Sequence, residues 1–134
     1  DLNIYLGKTF NMLVKEFPNK VGYYAKDGVN YETIIAKQDN PQINLAGMGL
    51  DSNVDLRDYF KKTSGGFIQG NFSEHFLTLP HEEFLPKLDT FIEQMSVLSP
   101  EERSGWVCGL GHGVLKTTPQ ENVKEFVQRI RASF

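Results

Sequence analysis

The chain has 134 residues, 14 Lys and Arg against 17 Asp and Glu, and a formal net charge of −3. That length and its 40% hydrophobic content fit one domain over residues 1–134 with enough apolar material for a core. So small a charge gives no sign of nucleic acid or an anionic membrane as partner, no segment approaches the roughly 20 apolar residues of a transmembrane helix, and no signal peptide opens the chain.

Taken in chain order, helical and strand patterns alternate. The chain begins at Asp1 without a methionine and already in a helical pattern, which leads us to expect a piece of something longer. Leu6, Phe10, Leu13 and Phe17 recur at helical spacing, and Pro18-Asn19 ends that helix before the apolar run Val21 to Ala25. After Lys26-Asp27-Gly28, Tyr31, Ile34 and Ile35 predict a short helix, which Asn40-Pro41 breaks before a second run, Ile43 to Leu50. Ser52 or Asn53 is the expected cap of a helix carrying Val54, Tyr59 and Phe60, and Ser64-Gly65-Gly66 leads into a third run, Phe67 to Asn71. Phe84, Leu88, Phe91, Met95 and Leu98 make the clearest helical stripe, ended by Ser99-Pro100, and Trp106 to Leu110 is a fourth run. Thr118, Pro119 and Glu121 have the spacing of a capping box, and Val123, Phe126, Val127, Ile130 and Phe134 form the last stripe.

Short buried strands alternating with amphipathic helices predict an α/β fold of parallel βα units, because a parallel strand pair needs a crossover and a helix supplies it. A small doubly wound sheet fits the element count, and so does half of a (β/α)8 barrel, whose whole takes about 250 residues. Each run ends in a polar or glycine-rich cluster: Lys26-Asp27-Gly28, Asp51-Ser52-Asn53, Gln69-Gly70-Asn71 and Gly111-His112-Gly113. Parallel folds collect ligands at that end of the strands, whereas turn chemistry and helix capping are the plainer reading of such residues, above all for Asp51, Ser52 and Asn53.

The stretch "GLGHG" is no dinucleotide fingerprint, since the helix after it is delayed to Pro119 and the acidic residue expected after a further strand does not follow. His75, His81 and Cys108 lack paired ligand spacing, so no metal site is expected; the histidines belong on the surface and the cysteine in the core. That lone cysteine rules out an internal disulfide framework and suits a reducing cytosol. For His112 two readings stand: a strand-end histidine that bonds a nearby carbonyl, and a residue held for a ligand.

"QGNFSEHFL" at 69–77, followed after an amphipathic helix by "GLGHGVLKTTPQENVKEFVQRI" at 109–130, resembles the C-terminal part of the uroporphyrinogen decarboxylase family, with its Q-G-N-L-D-P, F-N-L-G-H-G and T-P-P-E-N-V motifs. "YYAKDG" at 23–28 resembles the family's F-A-K-G strand end, and "GLDSNVDL" at 49–56 its G-L-D-W-x-V-D-L segment, in register over nearly the whole chain. This sequence departs at Ser52 for Trp, Ser73 and Glu74 for Asp-Pro, Gly109 for Asn, and Lys116 and Gln120 where prolines are common.

The resemblance implies the C-terminal half of a TIM-type (β/α)8 barrel from a cytosolic enzyme of haem biosynthesis, which removes four acetate carboxyl groups from uroporphyrinogen to give coproporphyrinogen without cofactor or metal. It implies pyrrole protonation, then loss of carbon dioxide, with a carboxylate near the pyrrole N–H groups stabilising the cation. That carboxylate and the arginine-rich substrate motif belong to the family's N-terminal half, so no catalytic residue is expected here. His112 alone matches a pocket position, where it would bind a substrate carboxylate. A tetrapyrrole is thus the expected partner. Open strand edges add the expectation of a homodimer, and the chain alone is expected to be inactive. A zinc methyltransferase of the same superfamily would need a His-x-Cys pair, which the sequence lacks; a non-catalytic half-barrel module is the other alternative.

Overall fold

Apolar runs bounded by turn residues become strands when a second apolar layer covers them, and here helices supply that layer. The computed structural model describes residues 2–24, 45–62 and 65–134. Its order is α1 (Leu2–Glu16), β1 (Val21–Tyr24), β2 (Leu45–Gly49), α2 (Leu56–Lys62), β3 (Phe67–Phe72), a 3-10 turn (Phe76–Thr78), α3 (His81–Ser96), β4 (Trp106–Leu110) and α4 (Gln120–Ser133). The predicted cluster at Lys26-Asp27-Gly28, the helix carrying Tyr31, Ile34 and Ile35, the Asn40-Pro41 break, and Ala25, Ile43 and Ser64 at the ends of predicted segments lie outside the described residues.

The strands form one parallel sheet in the order β1-β2-β3-β4, with Gly22 opposite Gly47, Met48 opposite Ile68, and Ile68 to Phe72 opposite Trp106 to Leu110. Neighbours in sequence are neighbours in space, so the described strands contain no reversal of winding. Strand alternation then divides the sheet into two unlike faces. Val21, Tyr23, Met48, Ile68 and Trp106 pack against Val14 of α1, Leu56 and Tyr59 of α2 and Met95 of α3. Phe72, Cys108 and Leu110 pack against Phe84 and Leu88 of α3 and Phe126 of α4. The opposite face has aromatic rings laid over glycine. A Cβ on Gly47 would sit 2.3 Å from the carbonyl oxygen of Phe67 and 2.4 Å from its ring, so only glycine fits beneath that side chain. Tyr24 and Val107, also outside the two clusters, remain 48% and 46% exposed.

The helix stripes hold with local corrections. In α3, Phe84, Leu88 and Met95 are fully buried and Phe91 bridges both clusters, as the spacing predicts. In α1 the helix docks along the ridge of Phe10 and Val14. Leu13 and Phe17, predicted to share that face, are 41% and 49% exposed on the neighbouring ridge. In α4, Phe126 is buried and Val127 is not. Phe134 lies past the helix end, its ring edge-on to Trp106 at 5.2 Å and beneath the Arg103 guanidinium at 4.9 Å.

Neither predicted cap forms. Asp51 turns back on itself by accepting the Asn53 N–H at 2.9 Å, which carries the chain on before α2 begins. Asp55 then caps α2, its Oδ1 accepting the Arg57 N–H at 2.9 Å while both carboxylate oxygens hold the Arg57 guanidinium. Thr118 does not close a capping box: its Oγ1 is buried with no hydrogen-bond partner among the described residues, and α4 starts after Pro119 without a side-chain cap. The same spacing closes at Ser99-Pro100-Glu101-Glu102, where Ser99 N–H donates to the Glu102 carboxylate at 2.8 Å and Glu102 N–H to the Ser99 hydroxyl at 3.2 Å.

Asp55→Ala is expected to cost about 1 kcal/mol, the usual worth of an N-cap, read as a lower urea midpoint with unchanged slope. The hydrogen bond from Arg57 holds the Asp55 carboxyl below its ordinary value. A depressed carboxyl stabilises the fold above its unfolded pKa of about 3.9 and loses that contribution as pH falls through the folded value, so the two proteins should converge in stability under strong acid.

Candidate functional site

Three of the four predicted polar clusters lie within the described residues, and the fold brings them to one rim. Asn71 at the end of β3 donates from Nδ2 to the carbonyl oxygens of Asp51 and Val54, both at 2.6 Å, and so ties the β2–α2 loop to the third strand. Gly111 N–H donates to the Phe72 carbonyl at 2.8 Å and continues the β3–β4 ladder one residue past the strand. A Cβ on Gly111 would sit 2.5 Å from the Ser52 backbone nitrogen, so the β2 and β4 loops touch there and only glycine allows it. The Tyr24 hydroxyl donates to the Gly111 carbonyl at 2.6 Å. In a flat sheet β1 and β4 would be about 14 Å apart at the usual strand spacing, so this bond requires the strand ends to draw together.

His112 follows Gly111 on this rim. Its ring is exposed, and it makes no hydrogen bond among the described residues. No carbonyl among the described residues holds it, so within them the strand-end reading lacks the bond it requires. Of the flanking glycines, Gly111 is consumed by packing on Ser52, while a Cβ on Gly113 would meet nothing within 4 Å. A histidine on an exposed loop, following a buried glycine and without a hydrogen bond among the described residues, has a ring N–H that an anion could accept.

The other singled-out residues separate into different roles. Asn71 and Gly70 are structural: the first bonds the loop carbonyls, and the second accepts the Trp106 indole N–H at 2.8 Å. Gln69 is exposed, with its side chain over Gly109. Glu74 is 8% exposed, its Oε1 lies 3.5 Å from His75 Nε2, and its Oε2 has no hydrogen-bond partner among the described residues. His75 is exposed as expected. Cys108 is partly covered, and burial pushes its thiol up to about 12, far from any thiolate role at neutral pH. Among the described residues no group of three or more His, Cys, Asp and Glu could hold a metal ion, and no helix is long and apolar enough to cross a membrane.

His81, expected on the surface, is instead half-buried and bonded to a residue that the sequence reading passed over. Asn122 is fully buried; its Nδ2 donates to the Leu77 and Leu79 carbonyls at 2.9 Å each, and its Oδ1 lies 2.8 Å from His81 Nδ1. With both amide hydrogens committed to carbonyls, the oxygen must face the ring, and His81 Nδ1 must carry the proton. The signal was present: Asn122 stands four residues before Phe126 and eight before Ile130, a polar residue on the core line of α4.

These features define an α/β protein whose parallel strands deliver their polar ends to a common rim. The model of the family described as Uroporphyrinogen decarboxylase (URO-D) matches residues 4–133. The chain belongs to that family. It is similar to the uroporphyrinogen decarboxylase of Chlamydia muridarum (strain MoPn / Nigg), 33% identical over 79 residues, which cover 58% of this chain and 22% of that one. The similarly named protein of Desulfotalea psychrophila is 25% identical over 117 residues, 87% of this chain and 32% of that one. That of Solibacter usitatus is 34% identical over 94 residues, 67% of this chain and 26% of that one. The chain thus spans between 22% and 32% of the length of these relatives.

Proposed function

We propose that this chain is the C-terminal half of a (β/α)8 barrel, forming one domain, and that its parent is a cytosolic enzyme decarboxylating the acetate side chains of uroporphyrinogen. The unreversed order of the described strands and the placing of the described helices on one face support the barrel: a doubly wound sheet reverses its order and covers both faces, whereas a barrel does neither. The glycine-floored face would then line the interior.

The observation that carries the functional reading is the exposed ring of His112, without a hydrogen bond among the described residues, on a rim built from the strand ends. A substrate with several carboxylates needs donors placed around its edge, and His112 would hold one of them. Its proton stays on the ring nitrogen; the chemistry, protonation of a pyrrole carbon and departure of carbon dioxide, uses groups of the other half. The isolated chain should therefore show no turnover of uroporphyrinogen above a protein-free control, because the carboxylate that stabilises the cation is elsewhere. Adding a separately expressed N-terminal half of a relative should restore product formation, and failure of every such pairing would argue against the reading.

Cutting a barrel leaves β1 and β4 as edges with unpaired backbone groups, which template further pairing. The chain is expected to sediment as a dimer at tens of micromolar, in keeping with a homodimeric form. A clean monomer in sedimentation equilibrium would contradict it.

A further inference from the structure

Beside the rim, on the helix side of the sheet, lies a cleft of about 610 Å³ between the start of α2, the end of β3 and α3, which shares Ser52, Asn53 and Asn71 with the rim clusters. His112 does not line it. We propose that this cleft is a second ligand site, one that takes a small aromatic monoanion such as an aryl carboxylate.

Three observations converge on that ligand. The wall is aromatic: Phe72 meets the rings of Phe76 and Phe91 at 5.7 and 5.3 Å, and Phe76 leaves 37% of its surface exposed toward solvent. A flat ring packs on such a wall with its edge or face against each phenyl group. The charge of the cleft is that of one cation. Arg57 is cancelled by Asp55, which holds its guanidinium at 3.0 and 2.6 Å, so it has little to offer a ligand. Lys87 has no carboxylate within ion-pairing distance among the described residues; its Nζ stands 5.3 Å above the Phe76 ring. One unneutralised ammonium beside an exposed ring suits a ligand carrying one negative charge next to an aromatic system, and a dianion would be left half unpaired.

The third observation is a small side chain in the lining. Ser52 lines the cleft where the resembled motif has tryptophan, so a hydroxymethyl group stands in place of an indole. The volume is within the range of small-molecule pockets, about 300–1,000 Å³. This inference does not rest on the decarboxylase reading, since His112, the residue that carries that reading, does not line the cleft.

The test is titration of the ¹⁵N-labelled 134-residue chain with 1-naphthoate, followed by amide chemical shifts, with 1-naphthalenemethanol as the uncharged arm and octanoate as the non-aromatic arm. Saturable shifts centred on Ser52, Asn53, Thr90 and Gln94 are expected, with naphthoate tighter than either comparison compound. Ser52→Trp should weaken naphthoate about tenfold or more by filling part of the cleft. Lys87→Gln should weaken it about fivefold and remove its advantage over the alcohol. Lys87 is exposed, so that variant decides the matter alone if Ser52→Trp fails to fold. Shifts centred on Gly111 to Gly113, equal binding of octanoate, binding unchanged in Lys87→Gln, or no saturable binding would each overturn the proposal.

Discussion

Asn122→Leu should destabilise the chain by about 3 kcal/mol or more, a large part of the 5–15 kcal/mol that holds an ordinary domain together. The substitution keeps the branched skeleton and the helix, replaces the amide by slightly bulkier methyl groups, and removes the polar contacts. The Leu77 and Leu79 carbonyls lose their shared donor, and the His81 Nδ1–H loses its acceptor, in a place where Asn122 admits no water at all. A buried polar group left without a partner costs about 1–3 kcal/mol, and three are affected, so partial hydration after relaxation still leaves a loss of this size. Asn122→Asp separates hydrogen bonding from packing: it has the same shape, but a carboxylate oxygen then faces two carbonyls. Urea unfolding of both variants measures the effect. A loss below about 1 kcal/mol in Asn122→Leu would mean that the 77–79 segment finds other donors, and that Asn122 is not the clamp that joins α4 to the start of α3.

The uneven legibility of this chain follows from how far each signal reaches. Trp106 to Leu110 is a strand with the bounds its sequence predicts because its limits are set locally, by the turn before it and Gly111 after it. The stripe of α3 is equally plain, since four apolar residues at 84, 88, 91 and 95 leave one way to face a core. Caps are decided by competition among neighbours. Asp51, Ser52, Asn53 and Asp55 are all competent to start α2, and the choice fell to Asp55 once the Asp51 side chain had taken the Asn53 N–H. Ser99 and Thr118 carry the same spacing, yet only Ser99 closes its box; the difference lies in the burial of the Thr118 hydroxyl, which is a property of the assembled fold. Leu13 and Phe17 point outward because the sheet meets α1 along one ridge only. At the rim, the clustering of strand ends was legible from parallel topology, but the division of labour within it was not. Asn71 and Gly111 are spent on joining loops to one another, 20 and 59 residues apart in sequence from Asp51 and Ser52, and no local pattern announces such partners.

That division is what makes His112 the informative residue. Because its ring forms no bond within the described structure, His112→Asn should leave the fold unchanged to within about 0.5 kcal/mol, as expected for an exposed position. In an enzyme containing both halves, the substitution tests two roles that predict different kinetics. A proton donor central to the chemistry would cost about 100-fold or more in turnover, since general acid catalysis contributes on that scale. A carboxylate holder acts on substrate and transition state alike, so its loss should raise the Michaelis constant by an amount corresponding to about 1–3 kcal/mol while turnover remains measurable. Asparagine retains one N–H donor on a shorter arm, which should also disturb the order in which the acetate groups are removed. Steady-state kinetics with product analysis distinguish these outcomes. Unchanged kinetics would remove His112 from the binding site, a collapse of turnover alone would make it an acid, and a variant that fails to fold would show that the ring has a structural partner. The expected result is the middle course, a weaker grip on the substrate with the chemistry intact, because the proposed function has the substrate's edge meet the rim on which His112 stands.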